Sequence, residues 1–298
     1  MWILLLSLWL LWTPDLDRAD LERRYLAAPG DLVEVQGMKL HVRDSGPREA
    51  PAVLMLHGFG GSLQTWDAWA HALSGSLRVI RLDLPGSGLS APDQTGDYSD
   101  GRSITLILAL MDQLQLKRAS LVGHSMGGRI AWTLAATHPQ RVDKLVLVAP
   151  DGFTSPGEAY GEKPEVPVTL QLMRFTLPKW LLRLNLAPAY ANTSTLTDAR
   201  TTLYHDLMLA PGSRQALMAR LQQRVLVDPR PLLQSISAPT LLVWGKQDAM
   251  IPFTNAADYS QAMPHSQLLA LEAVGHLPQE ETPEQSLPAV RDFLTQKP

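Results

Sequence analysis

The stretch from Ala119 to Ala131 constrains the fold of this chain more than any other. Ala119–Val122 is a short apolar run of the kind a buried strand makes. From Arg129 to Thr137 the spacing turns helical, with Ile130, Leu134 and Thr137 on one side. Between them lies Gly123-His124-Ser125-Met126-Gly127-Gly128. A strand that turns straight into a helix strains its middle residue, and a positive φ is expected at Ser125. Side chains two places before and after that point would collide, and glycine stands at both, Gly123 and Gly127. Gly128 lets the helix close on its neighbours. Such a turn lifts a serine hydroxyl off the sheet, beside the first N–H groups of a helix, where negative charge is favoured. By composition alone a chain of this length shows Gly-x-Ser-x-Gly roughly one time in ten. The flanking strand and helix therefore carry the assignment of Ser125 as a presented nucleophile.

The remaining strands set the fold class. Leu32–Gln36 and Met38–Arg43 alternate about Gly37 as a hairpin does. Pro51–Leu56 is a continuous apolar run, the pattern of a strand buried on both faces of a parallel sheet. A helix with Trp66 and Trp69, a strand at Arg78–Asp83 and a helix at 101–115 follow. Beyond the serine come strands at Lys144–Ala149, Pro239–Trp244 and Ser266–Leu271. Alternation at this spacing predicts an α/β protein with a doubly wound, mostly parallel sheet. The 298 residues, 45% of them hydrophobic, suffice for one large domain plus an insertion.

That alternation lapses between Pro150 and Ile236. A loop rich in Gly, Pro and Glu opens the segment, and helical patterns follow at Val168–Phe175, Lys179–Leu184, Leu196–Leu209 and Ser213–Leu226. An insertion there should sit over the strand ends, where ligands bind in such sheets, so 150–236 is expected to be a helical lid. The domain itself is expected to span 32–298.

Residues 1–12 are almost wholly apolar and stop at Thr13-Pro14-Asp15. No basic residue precedes the run and no small-x-small site follows closely, so it is a poor secretory signal. It is also short for a span, which needs about 20 residues. Three tryptophans and no polar face make it hard to bury at a terminus, which predicts membrane association through Met1–Trp12. The alternative is a helix packed on its own domain in a cytoplasmic protein. Asp15–Tyr25 reads as a charged, exposed connecting helix, ended by Pro29-Gly30.

Composition excludes several classes. Net charge is −3 with no basic block, so no nucleic-acid partner is expected. The chain has no cysteine, hence no disulfide, thiolate metal site or cysteine nucleophile.

A serine hydroxyl needs a base to take its proton and a third group to orient that base. Of eight histidines, His276 lies in a tight loop between Gly275 and Pro278, just past the last strand. His41, His71, His138, His205 and His265 fall on other elements, His124 is held beside the turn, and His57 sits in a loop with another use. Two aspartates could orient the base. Asp248 follows a strand in Gly245-Lys246-Gln247-Asp248 and is preferred; Asp151 follows another in Pro150-Asp151-Gly152. The developing oxyanion needs two N–H donors, for which the backbone of Phe59 and Met126 is placed.

Together these residues resemble the α/β-hydrolase fold family, in its serine esterase and lipase-like branch. The matching stretches run from His57-Gly58 through Asp83-Leu84-Pro85-Gly86-Ser87-Gly88 and Gly123–Gly127 to Asp248 and Gly275-His276, in the order serine, acid, histidine. The resemblance implies a lid, an apolar ester as small-molecule substrate, no cofactor, and a triad of Ser125, Asp248 and His276. Dehalogenases and epoxide hydrolases of the family carry Asp where Ser125 stands. Carbon–carbon bond hydrolases of diketones look similar through Ser125-Met126-Gly127-Gly128, but they usually have Asn where His124 stands and Trp where Leu277 stands. The expected activity is carboxylic ester hydrolysis; carbon–carbon cleavage is the enzymatic alternative, and a non-catalytic ligand receptor the other.

Overall fold

The computed structural model describes residues 12–154, 158–163 and 165–296. Eight strands form one sheet: β1 (Leu32–Val35), β2 (Met38–Ser45), β3 (Ala52–Leu56), β4 (Arg78–Leu82), β5 (Ala119–His124), β6 (Val142–Val148), β7 (Thr240–Gly245) and β8 (Gln267–Leu271). Their spatial order is β1-β2-β4-β3-β5-β6-β7-β8. β1 and β2 pair antiparallel, as do β2 and β4, and every later pair is parallel. The hairpin turns at Gln36 and Gly37, both with positive φ, 49° and 77°.

Alternation within each strand divides the core into two layers. In β3, Leu54 and Leu56 enter one apolar cluster while Val53 and Met55 enter the other. The first face is covered by α3 (Asp100–Gln113), α4 (Met126–Thr137), α9 (Arg230–Ser235) and α10 (Asn255–Ala262), through residues such as Ile107, Ile130, Leu233 and Tyr259. The second is covered by α2 (Asp67–Leu73) and α12 (Pro283–Thr295), through Trp69, Leu73, Val290 and Phe293. Helices on both faces make the sheet doubly wound. The chain runs from β3 outwards to β4, then returns to place β5 on the opposite side of β3. Brackets of this kind open a crevice at the carboxyl ends of β3 and β5, the place where ligands bind in such sheets.

The segment between β6 and β7 carries α5 (Val168–Gln171), α6 (Lys179–Leu186), α7 (Asp198–Met208), α8 (Ser213–Gln223) and α9. Met173, Leu177, Leu182, Tyr204 and Leu209 give it a small core of its own. Its last helix differs, because Leu233 packs into the sheet's first layer.

The N-terminal expectations need correction. Among the described residues no helix is long and apolar enough to cross a membrane. Residues 1–11 of the apolar run lie outside the described residues. Trp12, where description begins, lies against the insertion, its ring centroid 6.1 Å from that of Phe175. The chain then stays there: Thr13 N–H donates to the Phe175 carbonyl (2.9 Å) and Leu16 N–H to that of Leu209 (2.8 Å). The structural ground for membrane association through Met1–Trp12 is thereby removed.

Nor is Asp15–Tyr25 an exposed connector. In α1 (Arg18–Tyr25) Leu21 is fully buried with Leu89, Leu207 and Ala210. Arg24 and Tyr25 both donate to the Asp206 carboxylate, at 2.9 and 2.7 Å, and Arg214 reaches Asp15 at 2.6 Å. One buried leucine among charges leaves almost no periodic signal, so composition suggested a free surface helix where the fold makes a strap. Among the later helices, α11 (Pro278–Glu281) is one turn just before α12.

Candidate active site

β5 ends where the strand meets α4, and Ser125 takes φ 51° and ψ −119° to make the turn. Its neighbours show why glycine is required. A Cβ on Gly123 would lie 2.4 Å from the Gly127 carbonyl oxygen. On Gly127 it would lie 2.4 Å from the Leu56 oxygen at the end of β3. The strained serine is over-determined by three backbone bonds. Its N–H donates to Val148 (3.0 Å), and its carbonyl accepts from Arg129 (3.1 Å) and Asp151 (3.0 Å).

His276 and Asp248 come from the ends of β8 and β7. Close packing of those two loops excludes a side chain at Gly245, whose Cβ would meet the Val274 and Gly275 oxygens at 2.2 Å. His276 Nδ1 stands 2.7 Å from Asp248 Oδ2. The other carboxylate oxygen, Oδ1, accepts from the N–H groups of Met250 (2.8 Å) and Ile251 (2.9 Å). A carboxylate engaged on both oxygens acts as acceptor, so Nδ1 carries the proton and Nε2 is left as the basic nitrogen. The Ser125 hydroxyl and the His276 ring line one cavity without a hydrogen bond between them.

The structure sends the rival acid elsewhere. Asp151 pairs with Arg129 (2.9 Å) and with Arg224 (2.9 Å). Burial pushes the Asp151 carboxyl up, but Arg129 and Arg224 more than offset it, holding it below the ordinary carboxylate range. His57 and His41 have partners of their own. His57 Nε2 accepts from Leu84 N–H (3.0 Å), and His41 Nδ1 lies 2.7 Å from buried Asp83.

Phe59 follows β3 and Met126 opens α4, and both line the cavity with Ser125. Among the described residues neither N–H donates to a backbone carbonyl in a turn, loop or cap. Two spaces flank the serine. A cavity of about 220 Å³ is lined by Arg129, Asp151, Arg220, Leu221, Arg224 and Ile251, and one of about 120 Å³ by Thr65, His124, Leu186, Ala189, Tyr204 and Leu277. Ser125, Phe59, Met250 and His276 border both. Among the described residues no group of three or more His, Asp or Glu side chains is arranged to hold a metal ion.

Sequence reasoning missed the residues that hold the histidine loop. Glu281 accepts from Gly275 N–H (2.8 Å) and from Asn192 N–H (2.6 Å) in the insertion. Glu280 accepts from Tyr190 (2.6 Å), Tyr204 (2.8 Å) and Thr65 (2.5 Å). His276 N–H itself donates to the Ala189 carbonyl at 2.8 Å. Two adjacent acids between Pro278 and Pro283, just past the histidine loop, were the available signal, since buried carboxylates need partners. His124 was also under-read. Its Nε2 donates to the His276 carbonyl (2.9 Å), and its ring lies 4.5 Å from that of His276. Burial, reinforced by His276, holds the His124 pKa well below 6.5, so this ring is neutral at pH 7.

The model of the α/β hydrolase fold matches residues 51–283. A dihydrolipoyllysine-residue acetyltransferase component of an acetoin cleaving system from Pseudomonas putida is 35% identical over 269 residues, covering 88% of this chain and 68% of that protein. A pimeloyl-[acyl-carrier protein] methyl ester esterase from Vibrio parahaemolyticus is 29% identical, covering 85% and 97%. Among solved structures, the enol-lactonase of Burkholderia xenovorans LB400 superposes with a TM-score of 0.75 at 26% identity, covering 89% and 99%. The chain belongs to the α/β hydrolase fold family. Its relatives include an esterase and related hydrolases, and the chain is a hydrolase of that superfamily.

Proposed function

We propose that the protein hydrolyses carboxylic esters through an acyl-enzyme on Ser125, with His276 and Asp248 completing the triad. The observation that carries this reading is the 2.7 Å contact between His276 Nδ1 and Asp248 Oδ2, with the strained Ser125 on the same cavity wall. Asp248 fixes the tautomer that leaves Nε2 basic and stabilises the imidazolium. His276 takes the Ser125 proton as the oxygen attacks the ester carbonyl. The N–H groups of Phe59 and Met126 receive the charge that develops on the carbonyl oxygen. Collapse of the tetrahedral adduct expels the alcohol, which receives the proton from His276. Water, deprotonated by the same nitrogen, attacks the acyl-enzyme and releases the acid and Ser125.

The esterase among the relatives supports this substrate class. We read the helices of 150–236 as a lid: Leu186, Ala189, Tyr204 and Leu221 form walls of the two spaces beside Ser125. A panel of p-nitrophenyl esters of graded chain length, run beside a vinylogous diketone, tests the reading. Ester turnover that vanishes in a folded Ser125→Ala variant supports it. Turnover of the diketone alone would move the assignment to carbon–carbon cleavage.

A further inference from the structure

The two spaces beside Ser125 differ in chemistry. The smaller is bordered by Leu186, Ala189 and Leu277 together with Tyr204 and Thr65, whose hydroxyls donate to Glu280. Three arginines, Arg129, Arg220 and Arg224, reach the larger one. Two of them are neutralised. Arg129 meets Asp100 (2.8 Å) and Asp151 (2.9 Å), and Arg224 meets Asp151 (2.9 Å) and Glu158 (2.7 Å).

Arg220 is different. It is 5% exposed, on the face of α8 turned to the cavity. Its Nη1 and Nη2 donate to the backbone carbonyls of Tyr98 (3.3 Å) and Pro85 (3.1 Å), and its guanidinium lies 5.5 Å from the Tyr98 ring centroid. Among the described residues no carboxylate lies within ion-pair distance of it. Burial pulls its pKa down to about 10, and Asp100 counters part of that, so it remains a cation at neutral pH. A buried cation without a contacting anion carries a desolvation cost that an incoming anion relieves. It stands at the wall of the space that Ser125 faces. Leu221, Met250 and Ile251 add apolar lining to the same space.

We propose that Arg220, with Arg224 at its side, is the anion-binding end of the substrate site, so that preferred esters carry a carboxylate on one arm. The inference rests on the ester reading of Ser125 and adds the charge of the substrate. The scissile carbonyl sits at Ser125, the carboxylate reaches towards α8, and the uncharged arm occupies the smaller space. Arg129 and Asp151 hold Arg224 in place, which makes them positioning residues for this end.

The test compares matched esters in the wild-type chain. Monoethyl adipate against ethyl hexanoate places the carboxylate on the acyl arm. The acetate ester of a hydroxybutanoate against butyl acetate places it on the alcohol arm. A charge-assisted hydrogen bond in a buried site predicts a preference of about tenfold or more in kcat/KM for the charged member of one pair. That ratio should collapse towards unity in Arg220→Gln and survive in part in Arg220→Lys. Should Arg220→Gln fail to fold, Arg220→Met, which keeps the apolar length of the side chain without its charge, and competitive inhibition of the wild type by adipate provide the comparison. Ratios near unity for both wild-type pairs overturn the proposal while leaving ester hydrolysis intact. So does a ratio unchanged in folded Arg220→Gln, which would make Arg220 a brace between α8 and the Pro85 loop. If no ester is turned over, the ester reading fails on its own. Calorimetric binding of adipate, present in wild type and lost in Arg220→Gln, then still decides whether an anion site exists.

Discussion

Asp248→Asn separates the role of the third residue from that of its position. In the structure one oxygen, Oδ1, takes two backbone N–H groups at 2.8 and 2.9 Å, while Oδ2 faces His276 Nδ1 at 2.7 Å. Asparagine retains both backbone bonds through its single carbonyl oxygen. Its amide then points N–H donors at Nδ1, which must accept. The imidazole proton moves to Nε2, the atom that has to take the proton of Ser125. Loss of this kind is worth about 10⁴ in kcat, or roughly 5.5 kcal/mol of barrier at 1.36 kcal/mol per decade. Because the loop bonds survive, the melting temperature should move little. The assay is steady-state hydrolysis of p-nitrophenyl butyrate with thermal denaturation as the control, run beside Asp151→Asn. That second variant breaks pairs with Arg129 and Arg224, so it should cost stability with a far smaller loss in kcat. A fall of less than tenfold in Asp248→Asn, or an equal fall in a folded Asp151→Asn, would refute the reasoning.

Glu281→Gln removes a carboxylate shared by the N–H groups of Gly275 (2.8 Å), Asn192 (2.6 Å) and Ala191 (3.3 Å). It should cost about 1–3 kcal/mol in chemical denaturation and lower kcat severalfold through a loosened His276 loop. Leu21→Ala should cost about 2–5 kcal/mol, since Leu21 is fully buried; a change under about 0.5 kcal/mol would mean that α1 is not docked. Burial lowers the pKa of both His57 and His124. A depressed folded value means that stability is complete above the unfolded value of about 6.5 and is lost as pH falls below it, by up to about 1.4 kcal/mol per pH unit for each ring. Urea titrations between about pH 7 and 5.5 should show that slope, reduced in His124→Asn, and a flat profile would contradict it.

Much of the architecture was legible because its signals are local. Continuous apolar runs at 51–56 and 119–122 announced two-sided burial, and Gly123 and Gly127 announced a turn whose collisions are set by backbone alone. Both Asp248 and Asp151 read as lying on the edge of His276, and the Gly245 turn favoured Asp248; in the structure His276 Nδ1 stands 2.7 Å from Asp248, while Asp151 pairs with Arg129. What was not legible depends on long-range partners. The partners of Glu280 and Glu281, among them Tyr190, Tyr204 and Asn192, arrive from the insertion. The buried face of α1 rests on Leu21 and on Asp206, which lies 182 residues beyond Arg24 in sequence. The charge of Arg220 gained meaning once its neighbours Arg129 and Arg224 were seen to hold their own carboxylates.

The central claim is that Ser125 carries the acyl group between two half-reactions. Its most direct test is rapid-quench mass spectrometry after mixing the full chain with excess p-nitrophenyl acetate. The account predicts an increment of one acetyl group on the peptide containing Ser125, formed in a burst with p-nitrophenol and absent from Ser125→Ala. Turnover with no adduct, or an adduct on another residue that persists in Ser125→Ala, would contradict it.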